Sequence, residues 1–364
     1  MSKKNTSQIL FFILLILFYS INSFSQKNLY AGIEIGRRAI KISVLDVNNI
    51  KNTEYKILYF ANEKLSLADH ISANGKLTQD DINKTSTIVF DQLSKIRKDF
   101  NLLEENIFIA AAPVFASASN IDVLRNKITI LTNKSFDIIN IDEESKILFK
   151  GGIPQVDYSN ALLLNIGAQN TKGGYLHKLA ENKSEFISLK FDLGTVTLTD
   201  AVRKKVMYQN QVYDMSTFQE KSFDYKTILC KKVKEMLDEN PILLKKEKIY
   251  LSGGAVWAFA TLYYDQNIKD HYVSLSMEDI FNYDAILKNN FNKFNTLSKT
   301  NKEAARVLST YDQKNLISAN NILLAFVESI PNLDKKKIYF VKEGQIVWLI
   351  SYIIDHTKKV IANF

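Results

Sequence analysis

Leu164-Asn165-Ile166-Gly167-Ala168-Gln169-Asn170-Thr171-Lys172-Gly173-Gly174 is an apolar run that meets a polar residue, turns through small residues and starts again. A strand, a tight turn and a second strand are what this pattern predicts. The same form stands earlier, in Gly32-Ile33-Glu34-Ile35-Gly36-Arg37-Arg38-Ala39-Ile40-Lys41. A third turn, Leu251-Ser252-Gly253-Gly254-Ala255, joins an apolar run to a helical pattern. A tight hairpin of the first kind can expose backbone N–H groups that cradle phosphate. A strand-to-helix turn places a helix N-terminus where an anion would be favoured.

Outward from these turns the chain falls into two similar halves. Residues 29–35, 41–46 and 57–61 read as a strand meander. Thr78-Gln79-Asp80-Asp81 has capping-box spacing, and Ile82, Val89, Leu93, Ile96 and Phe100 follow at helical spacing. Residues 106–112 read as a buried strand, 121–131 as a helix and 136–141 as a strand. A helix over 142–150 is expected to stop at Gly151-Gly152. After Gly151 the order restarts, with strands at 161–166, 174–178 and 185–191 and helices at 195–207 and 225–240. A strand at 248–251, helices from Val256, Ser276 and Asn315, a strand at 337–341 and a helix over 344–354 complete the pattern. The duplication is one of architecture and predicts two α/β domains with a cleft between them. The expected divisions are 1–25 as a leader, 27–150 and 151–343 as the domains, and 344–364 as a C-terminal helix packing back on the first.

The 364 residues are enough for two cores. Apolar residues make up 46% and charged residues 24%, a globular balance. Only 4 prolines and 12 glycines occur, which argues against long disordered linkers. Lys3 and Lys4 precede the apolar stretch 9–21, and Ser23-Phe24-Ser25 supplies small residues before Gln26. That is the layout of a secretory signal peptide, and the stretch is short for a membrane span. The chain is therefore expected to be exported, periplasmic or secreted, with no integral span after cleavage near Ser25. An uncleaved N-terminal anchor is the alternative. Cys230 is the only cysteine, so no disulfide framework exists, and a buried position is expected for it. The net charge of +8 is spread as lysines along the chain, which indicates a preference for anions. No clustered basic run with interleaved aromatics marks a nucleic-acid partner. His70, His177, His271 and His356 show no metal-ligand spacing, and no G-x-S-x-G, C-x-x-C or Walker lysine loop occurs.

The three turns, in this order, resemble those of the exopolyphosphatase/guanosine-pentaphosphate phosphohydrolase (Ppx/GppA) family. Ala31 to Gly36 with Lys41 is similar to its first loop, A-[AG]-I-D-I-G-S-N-S-x-[RK], and Asn165 to Lys172 to its second, D-I-G-G-G-S-T-E. Phe191-Asp192-Leu193-Gly194-Thr195-Val196-Thr197-Leu198-Thr199-Asp200 looks like the segment S-L-x-L-G-[AT]-V-x-L-T-[ED], which no generic physics demands. Gly253, Gly254 and Ala260 fit its glycine-rich turn and helix, and Lys342-Glu343-Gly344 its late R-E-G. The resemblance spans about residues 27 to 357. It implies an α/β fold of two actin-like (ribonuclease H-like) domains with an interdomain cleft, in the actin/Hsp70/sugar-kinase-like superfamily. It also implies release of terminal phosphate from polyphosphate or a related phosphoanhydride, with Mg²⁺ as cofactor. Asp142 to Gly151 is similar to the family's helix before the second loop, so Glu144 takes the place of the glutamate that activates water. An acidic first turn complementing the helix dipole is the simpler reading of Glu144. Gly36, Arg37, Arg38, Lys41, Gly167, Asn170, Thr171, Lys172, Gly253 and Gly254 are the phosphate-binding candidates. Glu34 and Asn165 fall at the metal positions.

The departures from the pattern share one direction. The second-loop Asp is Asn165 and its Glu is Lys172, while the first-loop Ser-Asn is Arg37-Arg38. Lys and Arg repel a divalent cation and attract phosphate. A solvent-facing position for Arg37, Arg38 and Lys172 is the other reading. Two functions stay open on sequence: a phosphohydrolase with Glu144 as base, and a non-catalytic anion-binding or scaffold protein on the same fold. A homodimer is compatible with either.

Overall fold

A computed structural model of the chain describes residues 28–36, 39–49, 54–65, 67, 71, 74–180, 183–264, 270–344 and 346–357. The leader expected at 1–25, together with Arg37, Arg38 and His70, lies outside the described residues. No helix among the described residues is long and apolar enough to cross a membrane.

The described residues form two compact units, one running to Asn140 with 356–357 and one of residues 141–355. The first unit holds β1 (Leu29–Ile35), β2 (Ala39–Asn49), β3 (Glu54–Lys64), α1 (Gln79–Phe100), β4 (Ile107–Ala111), α2 (Ile121–Thr132) and β5 (Asp137–Ile138). Its sheet has the order β3-β2-β1-β4-β5. β2 is antiparallel to β1 and β3, and β4 is parallel to β1 and β5. β1 is buried from Tyr30 onward, which is why it reads as an almost continuous apolar run. α1 begins at the Thr78/Asp81 capping box and buries Ile82, Val89, Leu93 and Ile96. It ends at Asn101, whose φ of 46° closes the helix in the left-handed region.

The second unit adds α3 (Ile141–Gly152), β6 (Ala161–Ile166), β7 (Thr171–Ala180), β8 (Lys183–Phe191), α4 (Thr195–Tyr208), α5 (Met215–Glu239), β9 (Lys248–Ser252) and α6 (Gly254–Tyr264). β10 (Tyr272–Leu275), α7 (Met277–Asn289), α8 (Asn292–Leu297), α9 (Lys302–Thr310), α10 (Gln313–Ser329), β11 (Lys337–Val341) and α11 (Val347–His356) follow. Its sheet has the order β10-β11-β9-β6-β7-β8. Read from the other edge, β8-β7-β6-β9-β11 repeats the order and strand directions of the first sheet, with β10 added antiparallel to β11. α10 is buried on nearly all sides and packs on α4, α5 and α7. Its polar residues are tied inward: the Asn320 amide donates to Asp284, the Asn321 amide to Ser222, and the Thr199 hydroxyl to Ser318.

Three expectations need correction. The units divide at Asn140/Ile141, ahead of α3, because α3 packs on β7 and β8. α3 does end at the Gly151-Gly152 pair, as its sequence predicts, and Gly151 has a further role. A Cβ at Gly151 would lie 2.3 Å from Ser351 Cα, so the glycine admits the close approach of α11. The C-terminal helix accordingly belongs to the second unit up to Asp355, where Lys150 pairs with Asp355 at 2.5 Å. Cys230 is half-buried, with Sγ 3.8 Å from Glu328 Oε2.

Candidate functional site

Both hairpin turns close in the same way. Gly36 N donates to Ala39 O at 2.9 Å, and Gly167 N donates to Asn170 O at 3.0 Å. Across the strands, Glu34 faces Lys41 in the first hairpin, and Asn165 faces Lys172 at the matching place in the second. The two hairpins are thus copies of one device with different chemistry at one position.

In the first unit Glu34 is buried at the end of β1, and the Lys41 ammonium donates to its two oxygens at 3.1 and 3.4 Å. The carboxylate expected to hold a metal already has a cation. The Gly36 amide is spent on the turn.

In the second unit four elements converge on the Gly167 turn. Buried Asn165 donates from Nδ2 to Ser252 Oγ at 2.9 Å, linking β6 to the end of β9. Lys172 does not face solvent. Its ammonium forms an ion pair with Glu144 on α3, and the two side chains are only 16% and 14% exposed. α4 grips the turn from the other side: Thr195 N donates to Gly167 O at 3.0 Å and Val196 N to Ala168 O at 2.7 Å. Thr197 Oγ1 donates to Gln169 O at 2.9 Å. The first amides of α4 are therefore occupied by loop carbonyls. Among the described residues, the amides of Ala168 and Gln169 donate to no partner, which leaves two donors at the tip of the turn.

The segment that carries the family resemblance now has a physical reason. A Cβ on Gly194 would lie 2.5 Å from Gly167 O and 2.6 Å from Asn170 N. Only glycine lets the start of α4 approach the turn closely enough for those hydrogen bonds. Thr171 Oγ1 donates to Leu193 O at 3.0 Å and the residue is fully buried. Thr171 therefore anchors this segment instead of facing a ligand.

The third turn also differs from expectation. Gly253 has φ +95°, and a Cβ there would lie 2.3 Å from Ile166 O. The turn is packed hard against the end of β6. At the N-terminus of α6 the Tyr311 hydroxyl lies against Gly254, 2.1 Å from where a Cβ would be. Gly344 backs the same turn, its Cβ position 2.9 Å from Gly253 N. Beside it Glu343 is buried and its Oε1 is 3.1 Å from His271 Nδ1.

Three residues gained importance only in the folded chain. Ser252 holds Asn165, Tyr311 covers Gly254, and Gly194 admits α4. Lys172 was visible as a charge reversal, but its pairing with Glu144 joins positions on different elements and has no local sequence signal.

The donor set does not fit Mg²⁺. Among the described residues no group of three or more His, Cys, Asp or Glu side chains could hold a metal. Glu34 is neutralised by Lys41, Asn165 points its amide hydrogen at Ser252, and Lys172 places an ammonium on Glu144.

Each unit has the strand order and connections of an actin-like α/β domain, and the chain carries two of them. That is the fold of the Ppx/GppA phosphatases, in agreement with the resemblance read from the three turns. The Aquifex aeolicus Ppx/GppA phosphatase superposes with a TM-score of 0.68 at 16% identity, over 91% of this chain and 99% of that one. An exopolyphosphatase from Cytophaga hutchinsonii gives 0.57 at 15% identity, over 91% and 99%. Nucleoside triphosphate hydrolases from Neospora caninum give 0.52 at 10% identity, over 96% of each chain. No family model matches the chain, and no curated protein does.

Proposed function

We propose that this chain is an exported protein that binds the phosphates of a polyphosphate-type anion on an exopolyphosphatase-like scaffold, without hydrolysing them. The observation that carries the reading is the Lys172–Glu144 ion pair. A glutamate that activates water must have its carboxylate free to take a proton. Here that carboxylate is taken up by an ammonium contributed by the loop itself. Lysine is a point-charge ligand for phosphate, and the Ala168 and Gln169 amides supply donors beside it. Hydrolysis with Glu144 as base is the second reading, favoured by the family-like segment from Phe191 to Asp200.

Calorimetry with tripolyphosphate tests the binding. Losing one charge-assisted contact costs about 1.5–3 kcal/mol, or roughly 10- to 100-fold in affinity. Lys172→Met should weaken binding at this loop by that factor, and Lys172→Glu should abolish it. Unchanged affinity in both variants would sink the assignment.

A further inference from the structure

The second unit carries another concentration of positive charge, at the opposite end of its sheet. β9 and β11 are parallel and in register, starting at Lys248 and Lys337. The candidate site lies where β9 ends, at Ser252. Four strand steps separate Ser252 from Lys248, about 13 Å. The segments preceding the two strands wall an open cavity of about 350 Å³. Lys245, Lys335 and Lys336 line it, with Asn332 between them in sequence space and Glu247 as its sole acidic residue.

One of these lysines is fixed in place. The Lys336 ammonium donates to Leu244 O at 2.8 Å and to Lys246 O at 2.6 Å. An ammonium has three hydrogens, so one donor remains. Lys337 N donates to Glu247 O at 2.8 Å and joins the two segments a second time. The walls are therefore held together by backbone contacts. Lys245 and Lys335 are exposed and form no ion pair among the described residues. Glu247 accepts from Asn160 Nδ2 at 2.9 Å, so its charge is turned partly to a neighbour.

Lysines on a surface are usually solvated and do nothing more. This cluster differs in lining a concave, open cavity, with an anchored ammonium that has an unused donor and two ammoniums without carboxylate partners. We infer that the cavity is a second anion site, which takes linked phosphate groups of an oligophosphate. Three ammoniums and one carboxylate line it, and its volume admits more than one phosphate group. The inference does not depend on the Gly167 loop. A polyphosphate long enough to reach both places would gain affinity through effective concentration.

The test uses the full chain with Lys172→Met, so that binding at the loop is already weakened. Tripolyphosphate is titrated calorimetrically into this variant and into the same variant carrying Lys245→Glu and Lys335→Glu. Affinity should fall at least tenfold in the latter, with the thermal transition unchanged because both side chains are exposed. Lys245→Arg with Lys335→Arg should bind as the parent does. The inference is overturned if the Glu variant binds like its parent. It is overturned equally if reversing the exposed Lys299 and Lys302 lowers affinity as much, since that would be bulk charge only. Tighter binding of sucrose octasulfate than of tripolyphosphate would overturn the phosphate assignment. A loss confined to the cavity lysines supports it whatever Lys172→Met does to the loop.

Discussion

Gly253→Ala lowers the stability of the second unit by about 4 kcal/mol. Two costs combine. The backbone at Gly253 has φ +95°, where an L side chain is strained by about 1–3 kcal/mol. The added Cβ would also stand 2.3 Å from Ile166 O and 2.7 Å from Ile166 C, both backbone atoms of the β6 strand end. Neither can swing aside as a side-chain tip could, so β6 or the turn must shift. Gly75→Ala separates the two costs. Gly75 has φ +67° and nothing within 4 Å of its Cβ position, so it should lose only about 1 kcal/mol. Urea unfolding of both variants gives the difference. Equal losses would mean that the contact with β6 carries no energy.

The second large effect is on the ion pair. Lys172→Met leaves Glu144 mostly buried without its cation, and Glu144→Gln leaves Lys172 in the converse state. Breaking a buried pair costs about 3–5 kcal/mol when the remaining charge is uncompensated. Both side chains retain a little exposure, so about 2–3 kcal/mol is expected for Lys172→Met. The double variant, with both charges gone, should recover most of that loss, with a coupling of about 1–3 kcal/mol. Additive losses in the double-mutant cycle would show that the two groups do not stabilise one another. Phosphate binding answers a separate question, because within this cycle the variants that lack Lys172 should weaken it.

The fold was readable because its signals are local. Each hairpin is written as an apolar run, a polar residue and a glycine turn, and the turn geometry at Gly36 and Gly167 follows directly. The capping box at Thr78 and the apolar stripe through Ile96 specify α1 with no help from the rest of the chain. The failures have one cause, long-range packing. Gly151 reads as part of a helix stop, and α3 does end at Gly152, but that Ser351 lies against it from a segment 200 residues away has no local signal. That Tyr311 lies against Gly254 is likewise set by packing between distant segments. Thr171 looked like a ligand until its hydroxyl was found on Leu193 O. At the site itself, the loss of loop carboxylates was visible in Asn165 and Lys172. What replaced them was not visible. That the new cation would take up Glu144 depends on α3 lying across β7.

The most direct measurement is phosphate release from polyphosphate by the chain, with and without Mg²⁺, for the wild type and Glu144→Gln. With Glu144 held by Lys172, the wild type should release no more phosphate than the protein-free control in either condition, while still binding tripolyphosphate. Mg²⁺-dependent release that disappears in Glu144→Gln would contradict the account and make Glu144 a working base.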